Sequence, residues 1–368
     1  MKILFVYPMK IYKKNNKYYA PSITNTVLDR YTNIFCNKKK VRLNWLCRIV
    51  IDDTYEITNL NEIDFEKFHL YDLKNSNLEE LIINHDFIIS RVPDLLCGFK
   101  TFKLCKKYKI PHVLEVVGCP FDAFWFHSIK GKIIAPISFL IHRYIISNSK
   151  NVVYVTKSFL QKRYPNKHNN TFISDVEYFN PNGYRYNPTE KIVLATIGSI
   201  DIKYKGQDTV FKAINYLSEK GYHIEYRLIG PGSKDYLLSL AKKLNIVSYV
   251  KFIGALPHEK IPKHLENVTY YVQPSLTEGL PRSILEVESL GIPVISTNVG
   301  GMIDIVNKQA QFKRKNYKAL AAIIEDNLNS LDLLSNYSLE ISRLFNKNTM
   351  TNKLYRFYNE SYERSNLI

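Results

Sequence analysis

From Ile192 onward, short apolar runs close on glycine at regular intervals, with helix-length amphipathic stretches between them. Ile192-Val-Leu-Ala-Thr-Ile-Gly198, Tyr226-Arg-Leu-Ile-Gly-Pro-Gly232 and Val250-Lys-Phe-Ile-Gly254 each read as a buried strand ended by a glycine turn. Runs of this length and apolarity, separated by helices, belong to a sheet covered on both faces, which predicts a doubly wound parallel α/β architecture. Ligands of such sheets bind beyond the carboxyl ends of the strands, where Gly198, Gly230, Gly254, Glu278 and Gly300 all fall.

The densest chemistry lies in Pro274-Ser-Leu-Thr-Glu-Gly-Leu-Pro-Arg-Ser-Ile-Leu-Glu286, followed by Leu290-Gly-Ile-Pro-Val-Ile-Ser-Thr-Asn-Val-Gly-Gly301. Pro281 suits a first helical position and Gly291 the residue past the last turn, which predicts a helix over about 281–290 with Ile284, Leu285, Val287 and Leu290 buried. Amides at its start, around Gly279 to Ser283, lack intrahelical partners and favour a phosphate or diphosphate. Glu286, about one turn in, would be repelled by a phosphate beside it and suits a hydroxyl donor such as a ribose diol; Glu278 suits sugar hydroxyls. Both glutamates also fit solvated acids on an ordinary connection. Upstream, Ser199-Ile-Asp-Ile-Lys-Tyr-Lys205-Gly206 is a basic turn before a helix, where Lys205, helped by Lys203, is placed to neutralise a diphosphate.

In this order the motifs of residues 192–306 resemble the nucleotide-sugar half of glycosyltransferase family 4. The resemblance implies a GT-B fold, two Rossmann-like doubly wound parallel-sheet domains facing across a cleft, and a retaining enzyme that needs no metal or other cofactor. It implies a nucleoside-diphosphate sugar, UDP- or GDP-linked, as co-substrate. Lys205 would bind the diphosphate, Glu286 the ribose, and Glu278 would face the transferred sugar, with Lys205 and Glu278 the catalytic pair. The wider donor site would take in Gly198, Ser199, Lys203, Gly230, Gly254, Leu256, Gly279, Leu280, Pro281, Arg282 and Ser283. Two departures stand out: Ser199 occupies the place of the family's usual arginine, and Lys205-Gly206 lies one residue further from Gly198 than is common.

At 368 residues the chain suits two domains, placed at 1–183 and 184–349, with a final helix over 350–368 returning to the first. Met1-Lys-Ile-Leu-Phe-Val-Tyr7 opens as a buried strand with no charged leader ahead of an apolar core, which predicts no signal peptide and a cytoplasmic location. Five cysteines in an odd, unpaired spacing read as reduced thiols, and no aspartate pair of the metal-binding type accompanies the site.

The first half is the acceptor side by the same resemblance. Strands are expected at 87–93, 113–117 and 152–156, with helices at 99–108 and 134–146 and acceptor-facing loops at 8–22, 91–98 and 118–132. The family's glycine-rich loop is replaced by Lys10-Ile-Tyr-Lys-Lys-Asn-Asn-Lys17, and the histidine often found after its fourth strand is missing. Glu115, Asp122 and His127 are the acceptor-side candidates, each equally fit for a structural role.

Residues 1–190 carry 28 Lys and Arg against 17 Asp and Glu, while residues 191–368 carry 23 against 17. The basic excess therefore leans to the first half. Beside Phe124-Trp-Phe126 and an apolar helix it suits either docking on an anionic membrane bearing a lipid-linked acceptor or a plain solvated face. His142 and Arg143 interrupt the best apolar run short of a membrane span, and no recognition motif points to nucleic acid. The expected activity is transfer of a hexose to a glycan or lipid-linked acceptor of a surface polysaccharide. A sugar-nucleotide epimerase or hydrolase of the same fold, and an inactive partner subunit, are the alternatives.

Overall fold

The computed structural model describes residues 1–21, 23–35, 41–52, 57, 60–126, 128–179, 186–188 and 191–366. The chain forms two compact units, Met1–Asp175 with Asn348–Ile368, and Val176–Lys347. The division thus lies at Asp175/Val176 rather than at 183/184, because the segment beyond it already packs into the second unit. Val176 and Phe179 are buried, and the Tyr178 hydroxyl donates to the Ser342 carbonyl at 2.5 Å.

Among the described residues the first unit is built on a nine-stranded sheet. Its strands are β1 (Lys2–Lys14), β2 (Lys17–Ala20), β3 (Arg42–Ile51), β4 (Asn61–Ile63), β5 (His69–Asp72), β6 (Phe87–Val92), β7 (His112–Val116), β8 (Asn151–Tyr154) and β9 (Asn169–Phe172). Seven run parallel in the order β5-β3-β1-β6-β7-β8-β9. The segment expected as a loop at 8–22 is instead mostly strand. β1 continues to Lys14, pairs with the extended end of β3, and turns through Asn15 and Asn16 into antiparallel β2, with β4 beyond it. Both asparagines have positive φ, 50° and 57°. Asparagine tolerates that region, and a two-residue turn of this hand matches the twist of the strands it joins.

Helix Lys347–Asn366 closes this unit: Met350, Leu354, Phe357 and Tyr358 join Phe5, Tyr31, Trp45 and Phe87 in one core. The four described cysteines, Cys47, Cys97, Cys105 and Cys119, are buried free thiols, and burial pushes the Cys97 thiol up to about 11; Cys36 lies outside the described residues.

The second unit holds β10 (Ile192–Ile197), β11 (Ile224–Ile229), β12 (Val250–Gly254), β13 (Tyr270–Gln273), β14 (Val294–Thr297) and β15 (Gln311–Phe312). All are parallel, in the order β12-β11-β10-β13-β14-β15. The order reverses between β10 and β13, and the loops leaving those two strands diverge at a topological switch point, the usual ligand position of such sheets.

Candidate functional site

Lys205 follows β10 and Glu278 follows β13, one on each side of the switch point. Their loops are locked backbone to backbone. The Leu276 amide donates to the Tyr204 carbonyl at 2.7 Å, and the Gly301 amide, in the loop after β14, ties that third loop to the Gly279 carbonyl at 2.6 Å. A glycine makes each of these two approaches possible. Gly206 has φ 74°, and a Cβ there would lie 2.2 Å from the Pro274 carbonyl oxygen; Gly300 has φ 58°, and its Cβ would lie 2.0 Å from that of Glu278.

The docked loops bring the Lys205 ammonium 2.8 Å from Glu278 Oε1. Burial alone would lower the Lys205 pKa, but the Glu278 charge and hydrogen bond outweigh it and hold the amine above its ordinary value. Ser275 Oγ at 2.7 Å and Gln273 Nε2 at 3.1 Å donate to the same carboxylate oxygen. Behind them the Tyr271 hydroxyl lies 2.6 Å from Gln273 Oε1 and 2.9 Å from Ser283 Oγ, tying the strand end to the following helix. All three donors fall on Oε1, so Oε2 is the edge Glu278 has to offer. One of the three N–H donors of Lys205 is spent, leaving two for an anion.

That helix spans Arg282–Glu288, shorter than expected at both ends, with Ile284, Leu285 and Val287 buried on its inner side and Leu290 buried beyond it. Pro281 caps it in extended geometry, ψ 111°, rather than forming its first turn. Gly279, Leu280, Arg282 and Ser283 surround this start, with Arg282 exposed. Glu286 points to His258, whose Nε2 lies 3.6 Å from Glu286 Oε1. The Glu286 carboxylate raises the His258 pKa, against the opposing effect of burial, and the imidazole packs on the Phe179 ring at 4.6 Å between centroids. His258 was missed in the sequence because it sits in a polar turn, His258–Lys260, after β12, and its partner is 28 residues away.

Of the remaining donor-side positions, Gly198 and Gly230 are adjacent at the ends of β10 and β11, a Cβ on Gly230 falling 2.2 Å from the Gly198 oxygen. The Gly230 amide donates to the Gly254 carbonyl at 2.8 Å, and Leu256 follows, half-buried. Ser199 accepts from Gln207 Nε2 through its carbonyl. The Lys203 ammonium lies over the Tyr236 ring at 5.2 Å.

In the first unit Glu115 is held in a buried hydrogen-bond network. It faces Arg91 across β6 and β7, takes Arg91 Nε at 2.6 Å, and accepts the Tyr358 hydroxyl at 2.5 Å. The Tyr31 hydroxyl lies 2.9 Å and 2.8 Å from its two oxygens and accepts from Arg91 Nη2 at 2.8 Å. Arg91 Nη2 also reaches Asp175 Oδ2 at 3.2 Å. Asp122 is likewise buried and pairs with Arg163 at 3.2 Å. His127 lies outside the described residues.

Residues 185–339 match the family described as glycosyl transferases group 1. Protein CapJ of Staphylococcus aureus is 32 % identical over 389 residues, covering 100 % of this chain and 95 % of that protein. The capsular polysaccharide biosynthesis glycosyltransferase CapM, also of Staphylococcus aureus, is 28 % identical over 39 % of this chain and 38 % of its own length. Among solved structures, Anabaena HepE in complex with UDP superposes with a TM-score of 0.68 at 14 % identity, covering 99 % of this chain and 100 % of that one.

Proposed function

The chain belongs to the group 1 glycosyl transferases, and from that membership we propose that it is a retaining enzyme of the family 4 type. It moves a hexose from a UDP- or GDP-linked sugar to a glycan or lipid-linked acceptor in the assembly of a surface polysaccharide, at the inner face of the cell membrane. The polysaccharide reading is supported by the resemblance to CapM, and a UDP-linked donor is the first to test because HepE was solved with UDP.

The observation that carries the reading is the Lys205–Glu278 pair at the switch point, 2.8 Å apart. In the transfer, the bond from the sugar's anomeric carbon to the diphosphate oxygen breaks, the acceptor oxygen takes its place, and the hydroxyl proton leaves with the diphosphate. Negative charge grows on the leaving group. The two remaining Lys205 donors and the amides around Gly279, Leu280, Arg282 and Ser283 meet that charge more strongly in the transition state than in the ground state. No metal is asked for in this role. Glu278, fixed through Oε1, turns Oε2 to the sugar hydroxyls, while Glu286 takes the ribose diol.

Donor titration by thermal shift across nucleotide sugars, followed by mass spectrometry of products with and without glycan, tests the reading. Acceptor-dependent release of nucleoside diphosphate supports transfer. Release or interconversion of the donor without acceptor overturns it in favour of a hydrolase or epimerase, and an unchanged donor overturns it in favour of a binding subunit.

A further inference from the structure

Helix Ile129–Asn148 of the first unit is amphipathic in the reverse sense. Its buried positions are mostly small or polar: Gly131, Ala135, Ser138 and His142, with Ile145 and Ile146 at the end. Its outward face, at steps of four, four, three and four, carries Ile129, Ile133, Ile137, Leu140 and Tyr144; Ile129 is 83 %, Ile133 73 % and Leu140 65 % exposed. A helix that only faces water puts its large apolar side chains inward. A contiguous apolar face turned outward marks a surface that meets something apolar. Trp125 on the preceding helix and Leu96 at the start of helix Leu96–Tyr108 are exposed as well.

The charge around this face selects the partner. From Leu95 to Ser174 the chain has 13 Lys and Arg and only two acids, Glu115 and Asp122, both buried and ion-paired. The surface there is basic, with cations resting on aromatic rings: Lys132 over Trp125 at 5.9 Å and Lys103 over Phe99 at 4.4 Å. A second copy of the chain would bring the same basic rim against itself, and a net charge of +17 opposes that pairing. Apolar side chains ringed by lysines fit the acyl boundary and anionic headgroups of a lipid leaflet. No described helix is long and apolar enough to cross a membrane, so the fit is to lying on one.

We propose that the outward face of helix Ile129–Asn148, with Trp125 and Leu96, docks the protein on an anionic lipid leaflet. The proposal deepens the reading above, in which the acceptor is carried on lipid, and names the surface that would bring the first unit to it.

The test is sedimentation of the full chain with vesicles of phosphatidylglycerol or of phosphatidylcholine, a measurement that requires no transfer. The expected result is at least tenfold stronger partition into the anionic vesicles, weakening as salt rises. Ile133→Ser with Leu140→Ser, and separately Lys130→Glu with Lys132→Glu, should each lower it at least tenfold. Ile51→Ser, at an equally exposed apolar residue on β3, should leave it unchanged. Equal partition of wild type and both paired variants overturns the proposal, as does a dimer seen by light scattering that Ile133→Ser dissolves. The donor-induced thermal shift, measured on the same variants, shows that they fold; if vesicle binding holds while no donor shifts even the wild type, the transferase reading fails and the docking surface stands.

Discussion

Lys205 and Glu278 are 73 residues apart in sequence and 2.8 Å apart in space, each the other's counter-ion at the two strands where the sheet order reverses. Removing the ammonium takes away the side-chain cation nearest the proposed diphosphate. Lys205→Ala should lower transfer by about 10²–10³ with the circular dichroism spectrum unchanged. Wild-type turnover would refute the assignment of Lys205. Glu286→Ala should also abolish transfer, chiefly through lost donor binding.

The His258–Glu286 contact makes a pH-dependent element of the same site. Glu286 raises the His258 pKa above 6.5, so the pair contributes fully below that value and is lost as pH rises through the folded pKa. An NMR titration of the imidazole should place its midpoint above 6.5, and Glu286→Gln should bring it back down. A midpoint unmoved by Glu286→Gln would show that the pairing does not exist in solution.

Gly206 and Gly221 separate two costs of a side chain. Both have positive φ, 74° and 89°, but a Cβ at Gly221 meets nothing within 4 Å, whereas at Gly206 it meets the Pro274 carbonyl. Gly221→Ala should cost about 1–2 kcal/mol in urea unfolding, the strain of the left-handed backbone alone. Gly206→Ala should cost clearly more and weaken donor binding, because the Lys205 loop must lift from the Glu278 loop. Equal costs would mean the loops are not locked.

Arg91→Ala would leave Glu115 buried with its charge unmatched. The expected loss is about 3–5 kcal/mol of stability, read by denaturant unfolding, with partial recovery in Arg91→Met combined with Glu115→Met.

Glu288 is fully buried, and neither carboxylate oxygen has a hydrogen-bond partner. Burial raises its pKa well above 4.5, so the folded chain holds a proton that the unfolded chain gives up from about pH 4.5 upward. Folding stability from this group therefore falls as pH rises above 4.5. Glu288→Gln should unfold at a higher temperature than wild type near pH 7, with the gap closing toward pH 4.5.

The second unit was largely legible from its residues because β10, β11 and β12 are short apolar runs closed by glycine, and because Lys205 and Glu278 lie in the loops that leave β10 and β13. The helix after Glu278 was placed within two residues. The Pro281 error came from reading a proline as a first turn when its ψ is extended. The first unit was harder. Its hairpin is made of lysine, tyrosine and asparagine, and its existence depends on β3 running on to Ile51 beside Lys10 and Lys13. The network around Glu115 was not legible because its partners, Arg91, Tyr31 and Tyr358, come from three distant segments that only the folded sheet assembles. His258 was hidden for the same reason.

Helix Lys347–Asn366 supplies Leu354, Phe357 and Tyr358 to a core otherwise made by the first 175 residues. During synthesis the Tyr358 hydroxyl that Glu115 accepts is therefore delivered only after the whole second unit has been made. A chain cut after Lys347 would lack that closure, however well its second unit had folded.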